Sequence, residues 1–302
     1  MLSFIIILAT SMLLTGLINR VRAICSGRKG YRIFQSQRNV ALLLRKGSVY
    51  STTSTYITRL APLVYLATAV AAMLFIPFGR HPALLGFEGD IVAFAYILAL
   101  GRLAMILGAF DSGSSFQGMG ASRETMYGML SEPALLLLGG TLALITGYSS
   151  FSGIFAKFDN MSINLLVLSV LVGYAFFRLA LAENGRVPVD DPRTHLELTM
   201  IHEVMILDLS GVDLAFVQIA GWLKLSIFGM LFANALIPAQ IYGWGLGALF
   251  VASQLLYVIA IGVIESFTAR NRMIKNATYL VSVSAVGLLA FIVAYLLTLN
   301  LV

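Results

Sequence analysis

Seven of the chain's 14 carboxylates fall between residues 183 and 213: Glu183, Asp190, Asp191, Glu197, Glu203, Asp208 and Asp213. Two histidines, His195 and His202, lie among them. Four more charges, Arg102, Glu132, Lys224 and Glu265, stand in or beside long apolar runs. Carboxylates held at low dielectric take up and release protons nearer neutral pH than free ones do. A string of them with lysine and histidine therefore reads as a proton or charge relay. The same residues also suit a static ion-pair network that fastens helices together, and residue types alone leave both readings open. His195 and His202 are two helical turns apart, too far for one metal site without bending, so no metal is expected. Cys25 is the single cysteine and could ligate an iron–sulfur cluster only with thiolates from other chains. No phosphate-cradling loop, zinc spacing or nucleophile with its base is recognisable.

The elements that position these groups follow from composition. The chain has 302 residues, 59% hydrophobic and 11% charged, with a mean hydropathy of +0.90. Soluble domains carry about a quarter charged residues, so the class is membrane. Apolar runs of about 20 residues each suffice to cross a bilayer, and in hydrocarbon each must be helical to satisfy its backbone. Eight spans are expected, over 2–19, 60–78, 90–110, 125–147, 162–183, 213–237, 241–264 and 278–300. The expectation is one all-α membrane domain over 1–302, with an amphipathic loop region on the inner side. The first span lacks the basic leader and cleavage site of a signal peptide and reads as a retained helix.

With the first helix entering from outside, the inner loops hold 16 of the 20 Lys and Arg. That bias puts both termini outside, and it assigns the +6 net charge to topology and anionic headgroups rather than nucleic acid. The loop over 20–59 has nine cations and no acid. With the loop over 184–212 it forms the face on which a partner would dock. Asp191 before Pro192 reads as an N-cap with proline at the first helical position, which predicts a helix over 192–208. Lys224 sits near the middle of its span. Glu132 precedes Pro133, which removes a backbone hydrogen bond beside the carboxylate. Glu265 closes its helix near the inner face, where it can snorkel.

The run Ala182-Glu-Asn-Gly-Arg-Val-Pro-Val-Asp190 resembles the signature of respiratory complex I subunit 1. Asp111-Ser-Gly-Ser-Ser-Phe116, Gly120-Ala-Ser-Arg-Glu124 and Ser131-Glu-Pro133 are closer still to one branch, the membrane subunit of formate hydrogenlyase and hydrogenase-4. Arg28-Lys-Gly30, Arg45-Lys-Gly-Ser-Val-Tyr-Ser51 and Glu265-Ser-Phe-Thr-Ala-Arg270 are similar to the same branch.

The resemblance implies a non-catalytic eight-helix subunit in a bacterial or archaeal cytoplasmic membrane. It would anchor a soluble redox arm and couple it to proton or sodium translocation. The implied partners are hydrogenase-like large and small subunits, a ferredoxin-like iron–sulfur subunit, antiporter-like membrane subunits and the bilayer. The nickel–iron centre and iron–sulfur clusters would sit in those partners, with no cofactor on this chain. The expected relay is Glu132, Glu183, Asp190, Glu197, His202, Glu203, Asp208, Lys224 and Glu265. Docking or structural roles fall to Arg28, Lys29, Arg45, Lys46, Asp111, Arg123, Glu124 and Arg186, the last being the signature base.

Arg193 and His195 depart from the signature, which is acidic at both positions. The stretch from Glu197 to Gly211 is also longer than in complex I. Two rival readings remain: a quinone-site subunit of a complex I-like oxidoreductase, and a self-contained cation transporter.

Overall fold

The computed structural model describes residues 2–158, 162–191, 200–241 and 243–299. Eight of its helices are long and apolar enough to cross a membrane. They are α1 (Leu2–Cys25), α3 (Tyr56–Met73), α4 (Asp90–Asp111), α5 (Ser115–Thr146), α7 (Ile163–Glu183), α9 (Gly211–Leu236), α10 (Trp244–Phe267) and α11 (Met273–Thr298). Three short helices lie between them: α2 (Gln35–Leu43), α6 (Phe151–Lys157) and α8 (His202–Met205). Each expected span coincides with one long helix. The largest boundary shift is in α5, which starts at Ser115 and runs unbroken through Pro133. At about 1.5 Å per residue, its 32 residues outreach a hydrocarbon core of about 30 Å.

The packing order places the site. Helices α3, α4, α5, α7 and α9 contact one another in sequence and close a five-membered ring. Helix α11 braces α5 and α7 from outside, and α1 and α10 brace α9. Helix α9 is the most buried of the spans, consistent with its place between the ring and its braces. Glycines set the closest approach of α3 to α4. A Cβ at Gly101 would collide with Thr68 Oγ1, and one at Gly108 would fall 2.6 Å from Ala61 Cβ. Small residues at such crossings are how membrane helices gain packing without a hydrophobic driving force.

The helix ends are tied by polar side chains. Asp111, at the end of α4, accepts from Thr55 N (2.8 Å), Thr58 N (3.1 Å), Thr55 Oγ1 (2.6 Å) and Thr58 Oγ1 (2.6 Å). It thereby satisfies the first, otherwise unpaired amides of α3. At the opposite end, Asp90 accepts from Phe151 N (2.8 Å).

The helix expected over 192–208 is corrected in its described part. Residues 192–199 lie outside the described residues. Met200 and Ile201 are non-helical, His202–Met205 is one short turn of helix, and 206–208 is a turn. The reason is a long-range cap. Asp190 Oδ2 accepts from Ile201 N (3.0 Å) and His202 N (3.1 Å), so a carboxylate eleven residues upstream starts α8. Ser210 then fastens the far end to the other loop: Val49 N donates to Ser210 Oγ (2.9 Å) and Ser48 Oγ donates to Ser210 O (3.3 Å).

Candidate functional site

Each helix of the ring contributes a polar residue to its centre. Arg102, on α4, is the hub. Its Nη2 donates to Glu183 Oε1 on α7 (2.5 Å) and its Nη1 to Glu132 Oε1 on α5 (3.1 Å). Its Nε lies 3.8 Å from Glu124 Oε1, two turns earlier on α5. Lys224, on α9, donates to Glu183 Oε2 (3.3 Å) and to the Glu183 carbonyl (3.1 Å), which is the last of α7. A cation there also meets the negative end of the helix dipole. Ser131 Oγ donates to Glu183 Oε1 (2.7 Å). Tyr65, on α3, presents its ring 5.5 Å from Lys224 Nζ. Glu183 is thus held by two cations and a hydroxyl, with only 8% of its side chain exposed.

Two cations face three carboxylates here, so full ionisation would leave a net negative charge. The Arg102 guanidinium has to serve all three acids at once.

A second network has the reverse stoichiometry. Glu265, on α10, is bracketed by Arg22 of α1 (3.0 Å) and Arg186 of the 184–191 segment (2.9 Å). Its side chain is 2% exposed. The expected snorkelling of Glu265 is therefore corrected, because two arginines hold it inward. Asp190 is buried and pairs with Arg270 (3.3 Å) while it caps α8. Asn276 Nδ2 donates to Val189 O (2.8 Å) and Asn271 N to Pro188 O (2.9 Å), which pins the signature segment against the link between α10 and α11.

Three cavities border these groups. One of about 20 Å³ lies between Arg102, Glu124, Glu183, Asp190 and His202, room for about one water. One of about 370 Å³ is lined by Tyr65, Glu183, His202, Glu203, Arg22 and Arg186. Burial pushes the Glu203 carboxyl up to about 7, with the Asp190 charge adding to the effect. Burial, then the Lys224 charge, lowers His202 to about 4. The third cavity, about 380 Å³, is a groove on the outside of the bundle between α4 and α5. Its walls include Tyr96, Leu100, Leu103 and Met129, and Arg102 and Glu132 sit at its floor. The Glu132 side chain is 40% exposed there.

The structure brings together Glu132, Glu183, His202, Lys224 and the expected docking residue Glu124, and sets Glu203 and Asp190 beside them. It places Asp208 in an exposed turn, outside these ion pairs. Glu197 lies outside the described residues, as do Arg193 and His195. Arg123 donates to Met200 O (2.8 Å) and so holds the approach to α8. Arg28, Lys29, Arg45 and Lys46 are exposed. Sequence reasoning missed Ser131 and Tyr65 as members of the site. It counted Arg22 only toward topology, and Arg270 toward topology and a family motif, without pairing either with an acid. Ser131 stood in the Ser131-Glu-Pro133 motif with no role given to it; nothing marked Tyr65.

This arrangement can be set beside known proteins. The profile of the NADH dehydrogenase family matches residues 1–296. The chain belongs to that family, in its complex I subunit 1 type. Relatives within it include hydrogenase-4 component C of Escherichia coli (strain K12). That protein is 30% identical over 237 residues, spanning 78% of this chain and 73% of the relative. Formate hydrogenlyase subunit 4 of the same organism is 27% identical over 261 residues, 86% and 82% of the two chains. An NADH-quinone oxidoreductase subunit of Thermomicrobium roseum is 28% identical over 212 residues, 65% and 61% of the two. A chain of the archaeal membrane-bound sulfane sulfur reductase, a respiratory membrane complex, superposes with a TM-score of 0.80 over 97% of both chains. At 19% identity that match shows the shared fold. This family member is a multi-pass membrane protein of the complex I-like type, as its motifs imply.

Proposed function

We propose that this chain is the anchoring and coupling subunit of an energy-converting hydrogenase or formate-hydrogenlyase-type complex. The observation that carries this reading is the Arg102 hub. One guanidinium touches three carboxylates, of which Glu183 lines the cavity of about 370 Å³ and Glu132 opens onto the groove between α4 and α5. A change at the cavity, where Glu203 and His202 sit, alters the field on Glu183. Arg102 passes that change to Glu132, 3.1 Å away. Glu132 at the groove is then the contact point for an antiporter-like membrane subunit. The bundle supports such a neighbour, because a carboxylate facing lipid costs about 2.5–3.5 kcal/mol on insertion scales.

The latched loops around Val49 and Ser210, with Arg45 and Lys46, form the proposed docking face for the soluble arm. That arm would comprise hydrogenase-like large and small subunits and a ferredoxin-like subunit. Its nickel–iron centre and iron–sulfur clusters supply the electron chemistry; this chain supplies position and charge. By the positive-inside rule, both termini lie outside and the docking face inside. The translocated ion is a proton, or sodium in a variant of the same scheme.

A second reading is favoured by one observation. The cavity of about 370 Å³ falls within the size range of small-molecule sites and offers Tyr65 and His202 as polar contacts, which fits a quinone headgroup. Recovery of bound quinone from the purified complex, with no nickel, would support this reading over the first.

The test of the main reading is assembly against ion movement in the whole complex. Glu183→Gln and Glu132→Gln variants that assemble should retain electron transfer and lose ion translocation. Full translocation in both would remove the proposal.

A further inference from the structure

The mechanism leaves unused a strongly basic cleft on the far side of α1. The first acid in the chain is Glu88, so the whole of α1, the loop after it and α2 are without a carboxylate of their own. The loop doubles back along α1 instead of projecting into water. Gly30 permits this, since a Cβ there would lie 2.6 Å from Ala23 Cβ. Gly16 permits it again, as a Cβ there would collide with the carbonyl oxygen of Ile33. Further down, Gln37 Nε2 donates to the carbonyl of Met12. Residues 30–37 therefore descend the side of α1 from its end toward its middle. A cleft of about 840 Å³ remains between them, with Arg22, Arg28, Lys29 and Arg32 on its walls beside Ser26 and Ser36. Arg22 is already engaged by Glu265. Among the described residues no carboxylate pairs with Arg28, Lys29 or Arg32.

The surroundings of this cleft are apolar and exposed. Tyr31 is 80% exposed and Phe34 54% exposed, and Ile5, Leu8 and Met12 form an open strip along α1. An acidic protein surface or a free phosphate would use the cations and leave that strip bare. A molecule with an anionic head and acyl chains would use both. We propose that this cleft binds an anionic phospholipid, its phosphodiester against Arg28, Lys29 and Arg32 and its chains along α1. The site is independent of the coupling role, because it involves none of the residues of the Arg102 hub.

Three cations at about fivefold each give about a hundredfold preference for an anionic over a zwitterionic headgroup. The test uses the full chain, purified in neutral detergent and equilibrated with equimolar phosphatidylglycerol and phosphatidylcholine, with retained lipid counted by mass spectrometry. The expected result is strong enrichment of phosphatidylglycerol that excess inorganic phosphate does not displace. An Arg28→Gln/Lys29→Gln/Arg32→Gln variant should fall to near parity. Lys29→Gln alone should fall about fivefold, and this milder variant keeps the test informative if the triple variant does not fold. Arg45→Gln/Lys46→Gln removes two cations outside the cleft and should retain lipid as the parent does.

Equal retention of the two lipids by the parent overturns the proposal. So does equal loss in the Arg45/Lys46 control, which would mean a diffuse field, or displacement by phosphate, which would mean a phosphate site. If the assembled complex excludes phosphatidylglycerol and the triple variant sheds the soluble arm, an acidic partner surface occupies the cleft instead.

Discussion

The Arg102 and Glu265 networks have opposite charge stoichiometry, and on the proposed function that difference separates a working site from a fastening. At Arg102 one cation, helped by Lys224, serves three carboxylates. At Glu265 one carboxylate sits between two arginines. Both are buried, and both join elements distant in sequence. The first has fewer cations than acids and borders all three cavities. The second has enough cation for its acid and ties α1, the signature segment and α10 into one body. On the proposed function, burial and ion pairing alone do not mark a relay; an excess of acids beside accessible space is what sets the Arg102 network apart.

The comparison can be broken at its hub first. Arg102→Gln leaves three acids with Lys224 as their one cation. Removing one partner from a buried ion pair costs about 3–5 kcal/mol, and here a single change removes it from the buried Glu183 and from the more exposed Glu124 and Glu132. The expected outcome is a chain that melts far below the parent in detergent, read by thermal unfolding. A parent-like melting temperature would show that the three acids do not depend on Arg102.

Glu265→Gln sharpens the contrast from the other side. Its arginine partners keep some solvent, about 15% each. A loss of about 2 kcal/mol is expected, between the surface and buried cases, and a thermal shift assay measures it. In the assembled complex, ion movement per electron pair should stay as in the parent. A drop in that ratio would make Glu265 part of the relay and dissolve the distinction.

The smallest expected effect concerns pH at the large cavity. The Glu203 carboxyl is raised to about 7 from 4.5, so the fold favours its neutral form. Its contribution is present below pH 4.5 and is lost as pH rises toward 7. His202 is lowered to about 4 from 6.5. Its contribution is present above pH 6.5 and is lost as pH falls toward 4. The two slopes oppose each other. Glu203→Gln should remove the first, so the variant gains on the parent between pH 4.5 and pH 7 in melting experiments. A constant offset across that range would place Glu203 in water rather than in the cavity.

The eight spans were legible because a run of about 20 apolar residues has one outcome in hydrocarbon. Glu132 and Lys224 were legible for the same reason, since a charge inside such a run is expensive enough to need a partner. The helix expected over 192–208 was not legible in its described part. Its start is set by Asp190, whose carboxylate reaches back from outside any local window. Glu265 was misread because its partners, Arg22 and Arg186, are 243 and 79 residues away. Arg102 stood out as a charge, but its role as hub depends on how α4, α5 and α7 close into a ring. Local sequence specified elements; the assignment of partners required the packing.

The most direct test of the account is the ratio of ions moved to electrons transferred by the assembled complex in proteoliposomes, with Glu132→Gln. This residue is 40% exposed at the groove, so its loss should leave assembly intact. The account predicts that electron transfer persists while the ratio falls at least about tenfold, equivalent to about 1.4 kcal/mol in the coupling step. An unchanged ratio in a fully assembled variant would contradict it and leave the Arg102 network as a second fastening.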